Sequence, residues 1–147
     1  MSTTQILLAE DNRGDVLLIR RALAEYRVDH ELHVAYDGEQ AVDFLAQVGQ
    51  PGAVPCLDLV LLDVNLPRVD GPQILVELRN HPVCASVPVI VLSSSNASRD
   101  RARFTDLGIS RYFLKPSDLE EFMRLGAVVQ DVLAHWEPGR DSKRESK

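Results

Sequence analysis

The sequence predicts an α/β domain, a doubly wound parallel sheet with helices on both faces, and three observations carry that expectation. Short apolar runs alternate five times with longer segments of helical period, and such alternation joins parallel strands through helical crossovers. Two of the runs, ILL and LVLL, are apolar without alternation, as central strands buried on both sides should be. Most of the runs pass directly from apolar residues into a polar or charged one. In an open parallel sheet those groups meet at one edge, where such folds bind ligands.

Taken in order, residues 5–9 (QILLA), 31–35 (ELHVA), 57–62 (LDLVLL), 88–92 (PVIVL) and 111–114 (RYFL) are the five expected strands. Val16, Ile19, Leu23 and Tyr26 space one face of the first helix, Ala41, Phe44 and Leu45 the second, and Ile74, Leu75 and Leu78 the third. Asp70, Gly71 and Pro72 start the third helix, because Pro in a first turn forfeits only an amide that has no partner. A fourth helix is expected near 99–107. The fifth opens on the capping-box pattern Ser117-Asp-Leu-Glu120 and runs to about Trp136. Residues 1–136 then form one domain and 137–147 a disordered tail. No repeat of fixed period occurs, and 49–56 is a connection too short for a domain linker.

At 147 residues, 45% of them apolar, the chain fits one core. A net charge of -6 and a pI of about 5.1 are the wrong sign for gripping nucleic acid through its phosphates. The start of the chain has no basic leader, and no apolar run approaches a membrane span. Cys56 and Cys84 lie in no metal or redox motif and read as buried fillers, while His30, His33, His81 and His135 lack ligand spacing and read as surface or loop residues. A cytoplasmic protein is expected, with no nucleic acid and no membrane among its partners.

The chemistry sits at the strand ends. Glu10 and Asp11 follow the first strand, Asp63 the third, Ser93 the fourth and Lys115 the fifth. Carboxylates brought within 4 Å of one another repel by about 4 kcal/mol per pair at an effective dielectric near 20, so three of them call for a cation. Mg²⁺ prefers such oxygen donors and commonly joins one or two carboxylates to a phosphate. Ser93 has no neighbouring His or Cys base in sequence to make it a nucleophile, and its hydroxyl can donate to a phosphoryl oxygen. Phosphoryl transfer onto Asp63 suits this set. Taken singly, Asp63 would be a turn former, Glu10-Asp11-Asn12 a helix cap and Lys115 a solvated surface lysine; the joint pattern favours the site.

The motifs ILLAEDN, LLDVNLPRVDG, VIVLSSS and YFLKP resemble the receiver domain of two-component response regulators over residues 5–136. The resemblance implies a flavodoxin-like fold of strand order 2-1-3-4-5. It implies that Asp63 is the phosphoacceptor, that Glu10 and Asp11 with the backbone carbonyl of Asn65 hold Mg²⁺, and that Lys115 binds phosphate. Ser93 and Tyr112 match the switch residues, and Lys115–Pro116 matches a peptide bond that is cis in the family. Such a protein is a phosphoacceptor that catalyses its own phosphorylation and dephosphorylation rather than an enzyme acting on a separate substrate. The segments AEDNRGDVLLIRRAL, ELHVAYDGEQAVDFL and KPSDLEEF, with Trp136, resemble single-domain regulators that accompany bacterial phytochromes, which implies a phytochrome histidine kinase as partner. Ser93 stands where Thr is more frequent, and Glu10 where many members have Asp.

With no output domain expected after the fifth helix, the message is expected to pass by protein contact, through a homodimer. Its face would join the fourth helix, fifth strand and fifth helix through Arg101, Phe104, Phe113 and Trp136, since Met123, Val128 and Val132 widen the apolar arc of the last helix beyond what a sheet requires. Two other functions compete. An aspartate-based phosphatase typically carries a second Asp two residues after its nucleophile, where Asn65 stands, and a flavin-binding module wants a phosphate cradle where Glu10 and Asp11 would repel it.

Overall fold

The computed structural model describes residues 3–50, 56–64, 66–94 and 98–135. Asn65, Trp136 and the tail 137–147 therefore lie outside the described residues. The elements run β1 (Thr4–Ala9), α1 (Arg13–Glu25), β2 (His30–Ala35), α2 (Gly38–Gln47), β3 (Leu59–Asp63), α3 (Gly71–Arg79), β4 (Val89–Ser93), α4 (Ser98–Thr105), β5 (Arg111–Leu114) and α5 (Leu119–Ala134). The sheet has the order β2-β1-β3-β4-β5, with every neighbouring pair parallel. This is the order the resemblance implies. Among the described residues no helix is long and apolar enough to cross a membrane.

Period-two alternation along the strands divides the core between two faces. Leu7, Val60, Leu62, Val89 and Val91 pack with Ala41, Leu45, Ile74, Leu75 and Phe104 of α2, α3 and α4. Ile6, Leu8, Leu59, Leu61, Ile90 and Leu92 pack with Val16, Ile19, Leu23, Phe122, Leu125 and Val129 of α1 and α5. The uninterrupted apolar strands thus have a helical layer on each side, which explains why no polar residue interrupts them.

The helix starts follow their sequence signals. Asn12 caps α1 by accepting from the Asp15 N–H at 3.0 Å, and Asp70 with Gln73 forms a capping box before Pro72 in α3. At α5 the cap is Asp118, one residue later than the expected Ser117. Its carboxylate accepts from the Glu120 and Glu121 N–H groups at 2.8 and 3.3 Å, meeting two orphan donors and favouring the positive end of the helix dipole.

Two further expectations are corrected. The wide apolar arc of α5 is not left open: Met123 and Val132 are buried, and Val128 and Leu133 are partly so. The arc serves two neighbours, the sheet and α1. The helices approach so closely at Gly126 that a Cβ there would lie 2.4 Å from the Ala22 carbonyl oxygen. Cys84 is buried as expected, but Cys56 is exposed, because it precedes β3 and the chain turns inward only at Leu57.

Candidate functional site

Winding reverses between β1 and β3. The chain leaves β1 through α1 to β2 on one side, then crosses back through α2 to β3 on the other, leaving a crevice beyond the carboxyl ends of the two central strands. Glu10 and Asp11 follow β1 there, and Asp63 ends β3. Their backbones are held by continuations of the ladder: the Glu10 N–H donates to Ala35 at 2.9 Å and the Val64 N–H to Leu92 at 3.0 Å. One carboxylate oxygen from each of Glu10, Asp11 and Asp63 falls within 4.8 Å of the other two. Glu10 is fully buried, Asp63 is 7% exposed, and Asp11 faces solvent.

Lys115 enters from the end of β5. Its N–H donates to the Ser93 carbonyl at 2.6 Å, extending the β4–β5 ladder one residue past the end of β5. Its ammonium group donates to Glu10 and, at 2.9 Å, to Asp15, and lies 3.6 Å from Asp63 Oδ1. The side chain is only 11% exposed, so water and salt screen these contacts less than they screen surface ones.

Burial and mutual repulsion decide the charge states. Desolvation, with a hydrogen bond to Asp63 added, pushes the Glu10 carboxyl up to about 8, although Lys115 opposes the shift. Burial alone would lower Lys115; hydrogen bonds to Glu10 and Asp15 outweigh it and raise the lysine above its ordinary value. Lys115 is therefore cationic at neutral pH.

Ser93 ends β4 one position beyond the Asp63–Leu92 pairing, and its side chain is buried. Tyr112 sits on the α2–α4 face of β5, half-buried, with the Arg101 guanidinium 4.7 Å from its ring centroid. The Lys115–Pro116 bond is trans, correcting the expected cis bond; trans is the conformer that X–Pro bonds prefer by about 0.5–1 kcal/mol.

The expected dimer patch is also revised. Phe104 is fully buried, because it is the one large apolar side chain in the otherwise polar segment SRDRARFT and turns into the core. Phe113 lies on the opposite face of β5, its ring 6.1 Å from that of Phe122 in an edge-on contact. Alternation of side chains along a strand prevents Phe113 from joining an α4-side patch. Arg101 and Leu114 remain exposed near that edge.

The structure adds Asp15, which no motif in the sequence marks. Its acidic character in the first turn of α1 was visible, but its partner is 100 residues away, and no local pattern reports such a pair. Arg13 of the same turn lays its guanidinium 4.3 Å from the Tyr36 ring centroid.

Residues 6–125 match the family model described as the response regulator receiver domain. The chain is 34% identical over 131 residues to response regulator Rcp1 of Synechocystis, covering 89% of this chain and 87% of that protein. Among solved structures it is similar to the phosphorylated cyanobacterial phytochrome response regulator RcpA, with a TM-score of 0.80, 34% identity, and coverage of 90% of this chain and 95% of that one. It is also similar to the Mn²⁺-bound form of Rcp1, with a TM-score of 0.76, 33% identity, and coverage of 86% and 91% respectively.

Proposed function

This chain belongs to the response regulator receiver family, and from that premise we propose that it receives a phosphoryl group from a histidine kinase on Asp63 and signals through protein contacts. One observation carries the reading: the Asp63 carboxylate lies at the winding switch point, within 4.8 Å of two further carboxylates and 3.6 Å from the Lys115 ammonium group, whose side chain is only 11% exposed. In the transfer, a bond forms between an Asp63 oxygen and phosphorus as the bond from phosphorus to the kinase histidine breaks. Lys115 presents positive charge to the oxygens of the transferring group. Ser93 offers a hydroxyl to one of those oxygens once they are in place.

The donor set fits a small divalent ion. Glu10, Asp11 and Asp63 offer hard oxygens close enough to share one ion, and Mg²⁺ takes oxygen ligands of this kind while retaining waters. We assign Mg²⁺ to these residues, with the Asn65 carbonyl as a further ligand by family resemblance. When bound, it would supply positive charge against the phosphoryl oxygens. The same residues would serve self-catalysed phosphorylation from small donors and the later dephosphorylation.

The kinase is read as phytochrome-linked because relatives of this chain are phytochrome response regulators. Leu17 of α1 and Leu119 of α5 are 68% and 44% exposed on the two helices whose N-terminal ends flank Lys115, and they provide apolar contact for such a partner. The cytoplasm is the compartment assigned, in keeping with two free cysteines. Phosphatase and flavin-binding functions are not favoured: Asn65 replaces the second aspartate, and the acidic crevice repels a flavin phosphate.

The test is intact-mass analysis after incubation with acetyl phosphate or a phytochrome kinase and ATP. The wild type should gain one phosphoryl group only when Mg²⁺ is present, and Asp63→Asn should gain none. An Asp63→Asn protein carrying the same added phosphate would overturn the assignment.

A further inference from the structure

The Lys115 ammonium group has three N–H donors and three carboxylates around it, and its distances to them are unequal. Glu10 and Asp15 are in hydrogen-bond contact, and Asp63 is the farthest at 3.6 Å. Glu10 and Asp63 belong to the cluster that can share a cation; Asp15 does not. Among the described residues, Asp15 is thus the one anion at Lys115 that lies outside the cluster able to share a cation.

Its placement is firm. The Asp15 N–H is held by the Asn12 cap at 3.0 Å, and the first turn of a helix favours a negative side chain. The Asp15 and Lys115 side chains are 23% and 11% exposed, so solvent screens the pair only in part. A lysine is a point charge with rotatable donors on a flexible stem, so neighbouring carboxylates compete for where it rests.

We infer that Asp15 is a positioning residue that holds the Lys115 ammonium back from Asp63 and thereby weakens its grip on a phosphoryl group there. The inference rests on the reading of Asp63 as acceptor. It makes Asp15 a built-in competitor: every contact that Lys115 makes to the modified aspartate is made against the pull of α1. The phosphorylated state is accordingly less stable than the site residues alone would permit.

Titration with beryllofluoride in Mg²⁺, followed by NMR, tests this as a binding measurement independent of turnover. Asp15→Asn keeps the shape and removes the charge, and should tighten beryllofluoride binding about two- to fivefold, the equivalent of one ion pair. Asp15→Glu restores the charge and should return toward the wild-type affinity. Equal or weaker binding by Asp15→Asn overturns the inference, as does a tightening shared by Asp15→Glu, which would be steric. Failure of the wild type to bind, or binding retained by Asp63→Asn, would instead overturn the assignment of the acceptor.

Discussion

Gly38 and Val69 approach so closely that a Cβ on Gly38 would lie 1.9 Å from the Val69 carbonyl oxygen. The Gly38 N–H also donates to Pro67 at 3.0 Å, and Arg68 pairs with Asp37 and Glu39 at 3.5 and 3.4 Å. The start of α2 therefore seats the loop that follows Asp63. Gly38→Ala should destabilise the protein by about 1–3 kcal/mol, the usual cost of overpacking a filled space. A urea midpoint equal to that of the wild type would show that the loop yields freely.

Glu10 predicts a pH dependence in the presence of a chelator. Its carboxyl rises from 4.5 to about 8 on folding, so between those values the folded chain binds more protons than the unfolded one. Its contribution to stability is therefore most favourable below about pH 4.5 and falls as pH rises toward 8. Glu10→Gln removes that slope. Its stability relative to wild type should increase from pH 5 to pH 8 in urea titrations, and a constant difference across the range would refute the raised carboxyl.

Ser93 and Tyr112 should act as a coupled pair. A phosphoryl group on Asp63 offers the Ser93 hydroxyl a strong acceptor, drawing the end of β4 inward and altering the space beside the half-buried Tyr112 ring. A difference of a few kcal/mol suffices for such a switch. Ser93→Ala should still be phosphorylated, with much smaller chemical-shift changes around Tyr112 and Arg101. Shifts identical to those of the wild type would leave the two residues uncoupled.

The homodimer remains our proposal, with its surface redrawn. β5 is an edge strand, and its Leu114, 45% exposed, and Arg101 of α4 are open to solvent where Phe104 is buried. Leu114→Glu should shift the sedimentation of the beryllofluoride-bound protein from dimer to monomer at micromolar concentration. A wild type that stays monomeric with and without beryllofluoride would exclude the dimer.

Much of the site is legible in the sequence because its residues occupy one kind of position. Glu10, Asp63, Ser93 and Lys115 each end or follow an apolar run, and a parallel sheet carries all such ends to one edge. Asp15 and Gly38 were illegible for the opposite reason, since each acts on a partner from a different crossover. The depth of α5 packing is not legible in the sequence, because an apolar arc does not say how many neighbours it serves, and α1 provides a second beside the sheet.

What the sequence by itself determined is the order of elements, their parallel winding and the strand ends that carry chemistry. These follow from local periodicity and from caps such as Asn12 and Asp70, which depend on neighbours a few residues away. Only the tertiary structure decided that Phe104 turns inward, that Phe113 and Tyr112 face opposite helical layers, that Gly126 admits α1, and that Lys115 is shared among Glu10, Asp15 and Asp63. Those outcomes depend on which surfaces meet at distances of a few ångströms, and residues far apart in the chain set them together.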